Sequence, residues 1–201
     1  MTPKEKITKE EIIDVAFQLL RKEGYKSISA RAIANNLNLS TMPIYSQIGN
    51  MYELDKSLVI KVDEELVSYQ KEKYSENALL NMSIGYVLFA QEERHLYKFM
   101  TQEKSRIQES NMDQTYFENS AANDINQLHT DSSDNIVADN FPGMSKESVG
   151  EIAKNSWIYT HGLASLLHSG LLPPMSIKEI EKFLHDGGTA FFLLENMKSS
   201  M

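Results

Sequence analysis

The run Thr41-Met42-Pro43-Ile44-Tyr45-Ser46-Gln47 sets two small hydroxyls, a phenol, a carboxamide and three apolar side chains within about two turns of one short helix. None of these groups is a nucleophile with a base beside it. Their chemistry is that of recognition. A glutamine carboxamide such as Gln47 offers a donor and an acceptor in one plane and can pair twice with the adenine edge. Thr41 and Ser46 can donate or accept, and Met42 and Pro43 can touch thymine methyls. Tyr45 carries a hydroxyl suited to a phosphate oxygen.

Other chemistries find no residues to carry them. The chain has no cysteine, which removes disulfide and thiolate chemistry. His161 and His168 stand two helical turns apart, too far for the usual i, i+4 ligand pair, and His95, His129 and His185 are scattered, so packing or hydrogen bonding is the expected histidine role and no metal site is expected. There is no Gly-x-Ser-x-Gly elbow and no phosphate-binding glycine loop. The pair Glu92-Glu93 reads as a solvated helix start. Neither an enzyme nor a cofactor is expected.

The elements that must position the recognition residues are helices, and the spacing predicts an all-α fold. Thr8 and Glu11 form a capping box, with Ile7 and Ile12 at the positions of a hydrophobic staple. Ile12, Ile13, Ala16, Phe17, Leu19 and Leu20 then make one apolar stripe, and Gly24 stops the helix. Ser29 caps a second, short helix bearing Ile33, Ala34 and Leu37. Asn38 provides a left-handed turn, and Ser40 caps a third helix in which Pro43 falls within the first turn. Two short helices joined in this way form a helix-turn-helix, Ser29 to Ile48. Its trailing helix, Thr41 to Gln47, would lie in the major groove with Ile44 and Ile48 turned back toward the first helix.

A long helix follows, roughly Met51 to Tyr74. Further helices are expected near Glu76 to Gln91, near Arg94 to Thr101 and across Tyr116 to Thr130. A polar loop is expected at Asp131 to Ser145, then a helix from Ser145 to His168. Pro173-Pro174 separates it from a last helix that opens with a second capping box, Ser176 and Glu179. The expected domains are 1–54, a head that carries the helix-turn-helix, and 55–201, a larger helical body.

Charge permits a nucleic-acid partner without demanding one. The formal net charge is −8, but residues 1–57 hold eight Lys/Arg against seven Asp/Glu, leaving a head at +1 on a body at −9. Apolar stretches such as Ala190 to Leu194 are far too short to span a bilayer, and the N-terminus has charges where a signal peptide needs an apolar run. No membrane partner is expected, and a cytoplasmic location follows by default.

From Ile12 to Tyr45 the pattern I-x-x-x-A-F-x-L-L-x-x-x-G-Y-x-x-I-S-x-x-x-I-A-x-x-L-x-L-S-x-x-x-I-Y resembles the N-terminal domain of the TetR family of transcriptional regulators. The resemblance covers about the first 60 residues. It implies that Ser29, Arg31, Thr41, Met42, Tyr45 and Gln47 fall at DNA-contact positions, with Ser40, Pro43 and Ser46 on the same surface. Three positions depart from the family: Asn38 stands where glycine is usual, Ile48 where an aromatic is usual, and Met51 where most members place a phosphate-binding lysine. With Met51, the expected affinity for DNA is lower, or that contact falls to backbone N–H groups at the start of the fourth helix.

A second resemblance lies at Trp157 to Leu172, where Trp-x-x-x-His-Gly followed by leucines is similar to the penultimate helix of one large TetR subgroup. In that family the last two helices of each subunit form a four-helix dimer bundle. Residue types point the same way: Gly162, Ala164 and Ser165 permit close helix approach, and Leu163, Leu166 and Leu167 supply apolar area. In the final helix Gly187, Gly188, Phe191, Phe192 and Leu194 repeat the theme. The dimer residues expected are Gly162, Ser165, Leu166, Phe191 and Phe192, and a homodimer would offer two heads to a palindromic double-stranded operator.

The resemblance also places an inducer cavity among the middle helices. Core filling accounts for most of their aromatics; a subset, Tyr86, Phe89, Trp157 and His161, is the expected lining for a small-molecule inducer. The function expected is thus a dimeric repressor released from its operator by a small molecule. The competing expectation is an interaction protein that keeps this fold, has lost sequence-specific DNA binding and acts through a protein partner.

Overall fold

A computed structural model describes residues 7–104, 107, 141 and 143–199. They form helices and connecting turns, with no strand, so the described residues make an all-α fold. Packing gathers residues 7–65, 93–104 and 107 into one compact unit and residues 66–92, 141 and 143–199 into another.

In the first unit, α1 (Lys9–Glu23) begins on the capping box read from the sequence. Thr8 Oγ1 accepts the Glu11 N–H at 3.2 Å, and Glu11 Oε2 accepts the Thr8 N–H at 2.8 Å. Acids in its first turn and Arg21 and Lys22 in its last complement the helix dipole. Its stripe buries Ile12, Ala16, Phe17, Leu19 and Leu20. Gly24 then takes φ 84 and ψ 172, a backbone region open to glycine, and a 3₁₀ turn over Tyr25–Ser27 leads to α2 (Ala30–Asn36). The helices α3 (Thr41–Ile48) and α4 (Met51–Lys71) follow, and α4 belongs to this unit up to Glu65.

The unit is not continuous in sequence. Helix α6 (Arg94–Lys98), prolonged by a π-helical turn over Phe99–Glu103, packs on α1 and buries Leu96, Tyr97 and Phe99 beside the head's own core. The described residues up to Glu65 and those of α6 and its π-helical turn thus pack as one unit.

In the second unit, α4 ends at Lys71, short of Tyr74, because Asn81 Oδ1 takes the N–H groups of Tyr74 and Ser75 at 3.2 and 2.6 Å and holds them out of the helix. Asn77 caps α5 (Ala78–Glu92) by accepting the Leu80 N–H at 3.0 Å. Ser145 caps α7 (Lys146–Ser169) through the Ser148 N–H at 3.1 Å. The box of Ser176 and Glu179 opens α8 (Ile177–Ser199) with bonds of 2.8 and 3.4 Å. Helix α5 packs against both α7 and α8, which also pack on each other, around Val87, Leu88, Phe89, Leu163, Ala164, Leu167, Ile180 and Leu184. The helix expected over Tyr116 to Thr130 lies outside the described residues, as does most of the loop expected over Asp131 to Ser145. Among the described residues no helix is long and apolar enough to cross a membrane.

Candidate nucleic-acid interface

The turn between α2 and α3 depends on Asn38, whose φ of 54 is the left-handed conformation. Around it the Asn38 N–H reaches Asn35 O at 3.2 Å and the Leu39 N–H reaches Ala34 O at 2.9 Å, so the last carbonyls of α2 are satisfied. At the other end of α2, Ser29 Oγ accepts the Ala32 N–H at 3.1 Å. Ser40 occupies the matching position before α3 but makes no capping hydrogen bond. The cause is local: the third residue of α3 is Pro43, which has no N–H to give. The expectation of a side-chain cap at Ser40 is corrected, and the hydroxyl stays on an exposed residue.

Helix α3 is two-faced. Ile44 and Ile48 are 0% and 3% exposed, anchoring it to a unit in which it packs on α1 and α2. Thr41, Met42, Tyr45 and Ser46 are exposed, Pro43 and Gln47 partly so; Met42 reaches 79% and Tyr45 47%. Ser29 and Arg31 at the start of α2 are also exposed. All the residues selected from the sequence for this surface are thus accessible, and α2 and α3 carry them together.

Cations divide into held and open ones. Arg21 bonds both Glu65 and, at 3.0 Å, Glu93, with its guanidinium 5.0 Å from the centre of the Phe17 ring. Lys61 pairs with Asp14, and Lys104 with Asp63 at 2.9 Å. By contrast Lys9, Lys22, Lys26 and Arg31 are exposed and make no ion pair with a described residue. At the start of α4, Asn50 Oδ1 accepts the Glu53 N–H at 3.0 Å, and Glu53 pairs with Lys56 at 2.7 Å. Beside Met51 the helix start therefore has an acid and one N–H already taken.

One feature of this unit has no signal in the sequence. Tyr25 donates its hydroxyl to Asp55 at 2.9 Å while its ring meets Phe99 at 5.2 Å, tying the turn after α1 to α4 and α6. Burial pushes the Asp55 carboxyl up from its usual range; the Tyr25 hydrogen bond pulls it down, and nearby Glu103 adds to the rise. The Tyr25 phenol is pushed up as well, first by burial and then by Asp55.

In the second unit three of the four expected ligand residues meet. Tyr86 Oη lies 2.8 Å from His161 Nδ1, and Trp157 stacks on the His161 ring at 5.3 Å and 7°. Burial lowers the His161 pKa. Phe89 is fully buried and sits edge-on to Tyr69 at 5.7 Å instead. Among the described residues no group of three or more His, Asp or Glu is placed to hold a metal ion.

The expected dimer residues are split. Leu166 is exposed, and a Cβ built on Gly162 would meet nothing within 4 Å. Ser165 is partly exposed, 3.4 Å from His161 Nε2. Phe191 packs edge-on to Tyr159 at 5.7 Å and Phe192 lies 6.0 Å from Phe141, both partly exposed. More exposed apolar side chains stand beside them: Ile158 on α7, and Phe183, Leu193, Leu194 and Met197 on α8. Helical spacing could have singled these out, since residues 190, 193, 194 and 197 share one face. No known family model matches this chain, and no curated protein matches it either.

Proposed function

We propose that this chain is a DNA-binding transcriptional regulator, a dimeric repressor that a small-molecule inducer releases from a palindromic operator. The observation that carries the reading is the outward face of α3: hydroxyl and methyl-bearing side chains stand exposed, with the Gln47 carboxamide partly so, on a helix whose opposite face is anchored by Ile44 and Ile48. The left-handed turn at Asn38 and the exposed Arg31 on α2 support it, as does the resemblance of Ile12 to Tyr45 to the TetR head. The exposed apolar residues of α7 and α8 support the dimer. The Tyr86–His161–Trp157 cluster supports ligand control, as aromatic side chains gathered in one place by a hydrogen bond and a ring stack.

Gel retardation of a duplex from the region upstream of the chain's own gene tests this reading. Retention at low salt is expected. Tyr45→Ala and Gln47→Ala should each weaken binding by about tenfold while leaving the helical content unchanged. No retardation of any duplex at low salt, where phosphate contacts are strongest, would end it.

The second reading, an interaction protein of the same fold without DNA binding, is favoured by the start of α4. There Met51 supplies no cation, and Asn50 and Glu53 occupy the helix N-terminus. Its signature is a specific protein partner combined with no retained duplex.

A further inference from the structure

The outward face of α3 lacks charge, and so does the chain on either side of it. Residues 32–52 contain no Asp, Glu, Lys, Arg or His. From this, and resting on the DNA-binding reading above, we infer that the base pairs contacted by α3 are A·T pairs, recognised chiefly through thymine methyl groups and the adenine edge.

Base-edge chemistry leads there. In the major groove guanine presents two acceptors, N7 and O6, which cationic Arg or Lys donors match best. Cytosine presents the N4 donor, matched by a carboxylate. Adenine presents an acceptor beside a donor, matched by a carboxamide, and thymine adds its C5-methyl, matched by apolar groups. Helix α3 has neither cation nor carboxylate. It has one carboxamide, Gln47, and an apolar projection, Met42, that is 79% exposed beside Pro43 and the Thr41 methyl. Such exposure of a large apolar side chain is unfavourable in water and is relieved when it covers a methyl group. Ser46 and Tyr45 accept either base pair or a phosphate and do not oppose the choice. Arg31, the nearest cation before the uncharged stretch, lies on α2, the helix that crosses the backbone, and meets phosphate there.

The test uses the full chain and a pool of duplexes randomised over the binding site. Expected is enrichment of sites with about three adjacent A·T pairs at the positions that α3 covers. Replacing thymine by uracil at those positions removes only the methyl groups. It should weaken binding about fourfold for each methyl lost. Met42→Ala, at an exposed position that does not bear on folding, should shrink the difference between thymine and uracil duplexes. Enrichment of G·C pairs at those positions, or equal affinity for thymine and uracil duplexes, would overturn the inference while leaving DNA binding itself in place. Failure to retain any duplex at low salt would overturn both.

Discussion

Asn38 sits at φ 54, where an L side chain other than Asn or Asp pays the strain of a left-handed backbone, roughly 1–2 kcal/mol. Asn38→Gly is therefore expected to leave the unfolding midpoint unchanged or slightly higher. Asn38→Ala should lower stability by about 1 kcal/mol, read by urea unfolding followed by circular dichroism. Equal stability of the two variants would mean that the turn is not held left-handed in solution. Asp55 gives a pH-dependent counterpart. Its carboxyl has a higher pKa folded than unfolded, so the folded state disfavours the charged form. That cost is fully present above the folded pKa, shrinks as pH falls through it and is gone below the unfolded value. Asp55→Asn keeps an acceptor for the Tyr25 hydroxyl and removes the cost. The variant should unfold at a higher urea concentration than the parent at pH 7, and the gain should vanish in acid. A constant difference across that range would show that Asp55 does not titrate as its burial requires.

Helix packing turns on two glycines that differ in what surrounds them. A Cβ on Gly85 of α5 would lie 2.3 Å from the Tyr69 carbonyl oxygen and 2.6 Å from its carbon, and backbone cannot yield as a side-chain tip can. Gly85→Ala should cost about 1–3 kcal/mol or more by thermal unfolding. Gly150→Ala on α7, with nothing within 4 Å, should be neutral or raise helix stability by up to about 1 kcal/mol. A harmless Gly85→Ala would refute the close approach of α5 to the end of α4. These contrasts mark how far the sequence could be read. Capping boxes at Thr8–Glu11 and Ser176–Glu179 and the turn at Asn38 were legible because each is decided within a few residues. The exposed face of α3 was legible for the same reason, since the helix sorts its faces by helical period. The link of Arg21 to Glu93, across 72 residues, and the Tyr25–Asp55–Phe99 contact were not. Nothing in the local pattern says which distant helix meets which. The π-helical turn at Phe99–Glu103 was hidden too, because its register shows in the hydrogen bonding and not in the periodicity.

At the scale of the whole molecule, the proposed repressor needs two heads, and the surface that would join them is apolar in a regular way. On α7, Ile158, Gly162 and Leu166 recur at intervals of four. On α8, Ala190, Leu193, Leu194 and Met197 follow on one face. Leu193 is 55% exposed and Met197 67%. Gly187 cannot serve that surface, because a Cβ there would lie 2.4 Å from the Tyr159 ring; Gly188, with nothing within 4 Å, is open to a neighbour. A face of this length left in water favours self-association, and a two-fold interface would bring the same helices of each copy together. Sedimentation of the full chain at micromolar concentration should therefore give a dimer. Leu166→Glu combined with Leu193→Glu should give a monomer of unchanged helical content, since both side chains point away from the core. Because a palindromic operator then meets one head at a time, duplex binding by this variant should fall by about tenfold or more, as expected when a linked second contact is lost. A wild-type monomer that still binds its operator tightly would remove the dimer from the proposal and leave α3 to act alone.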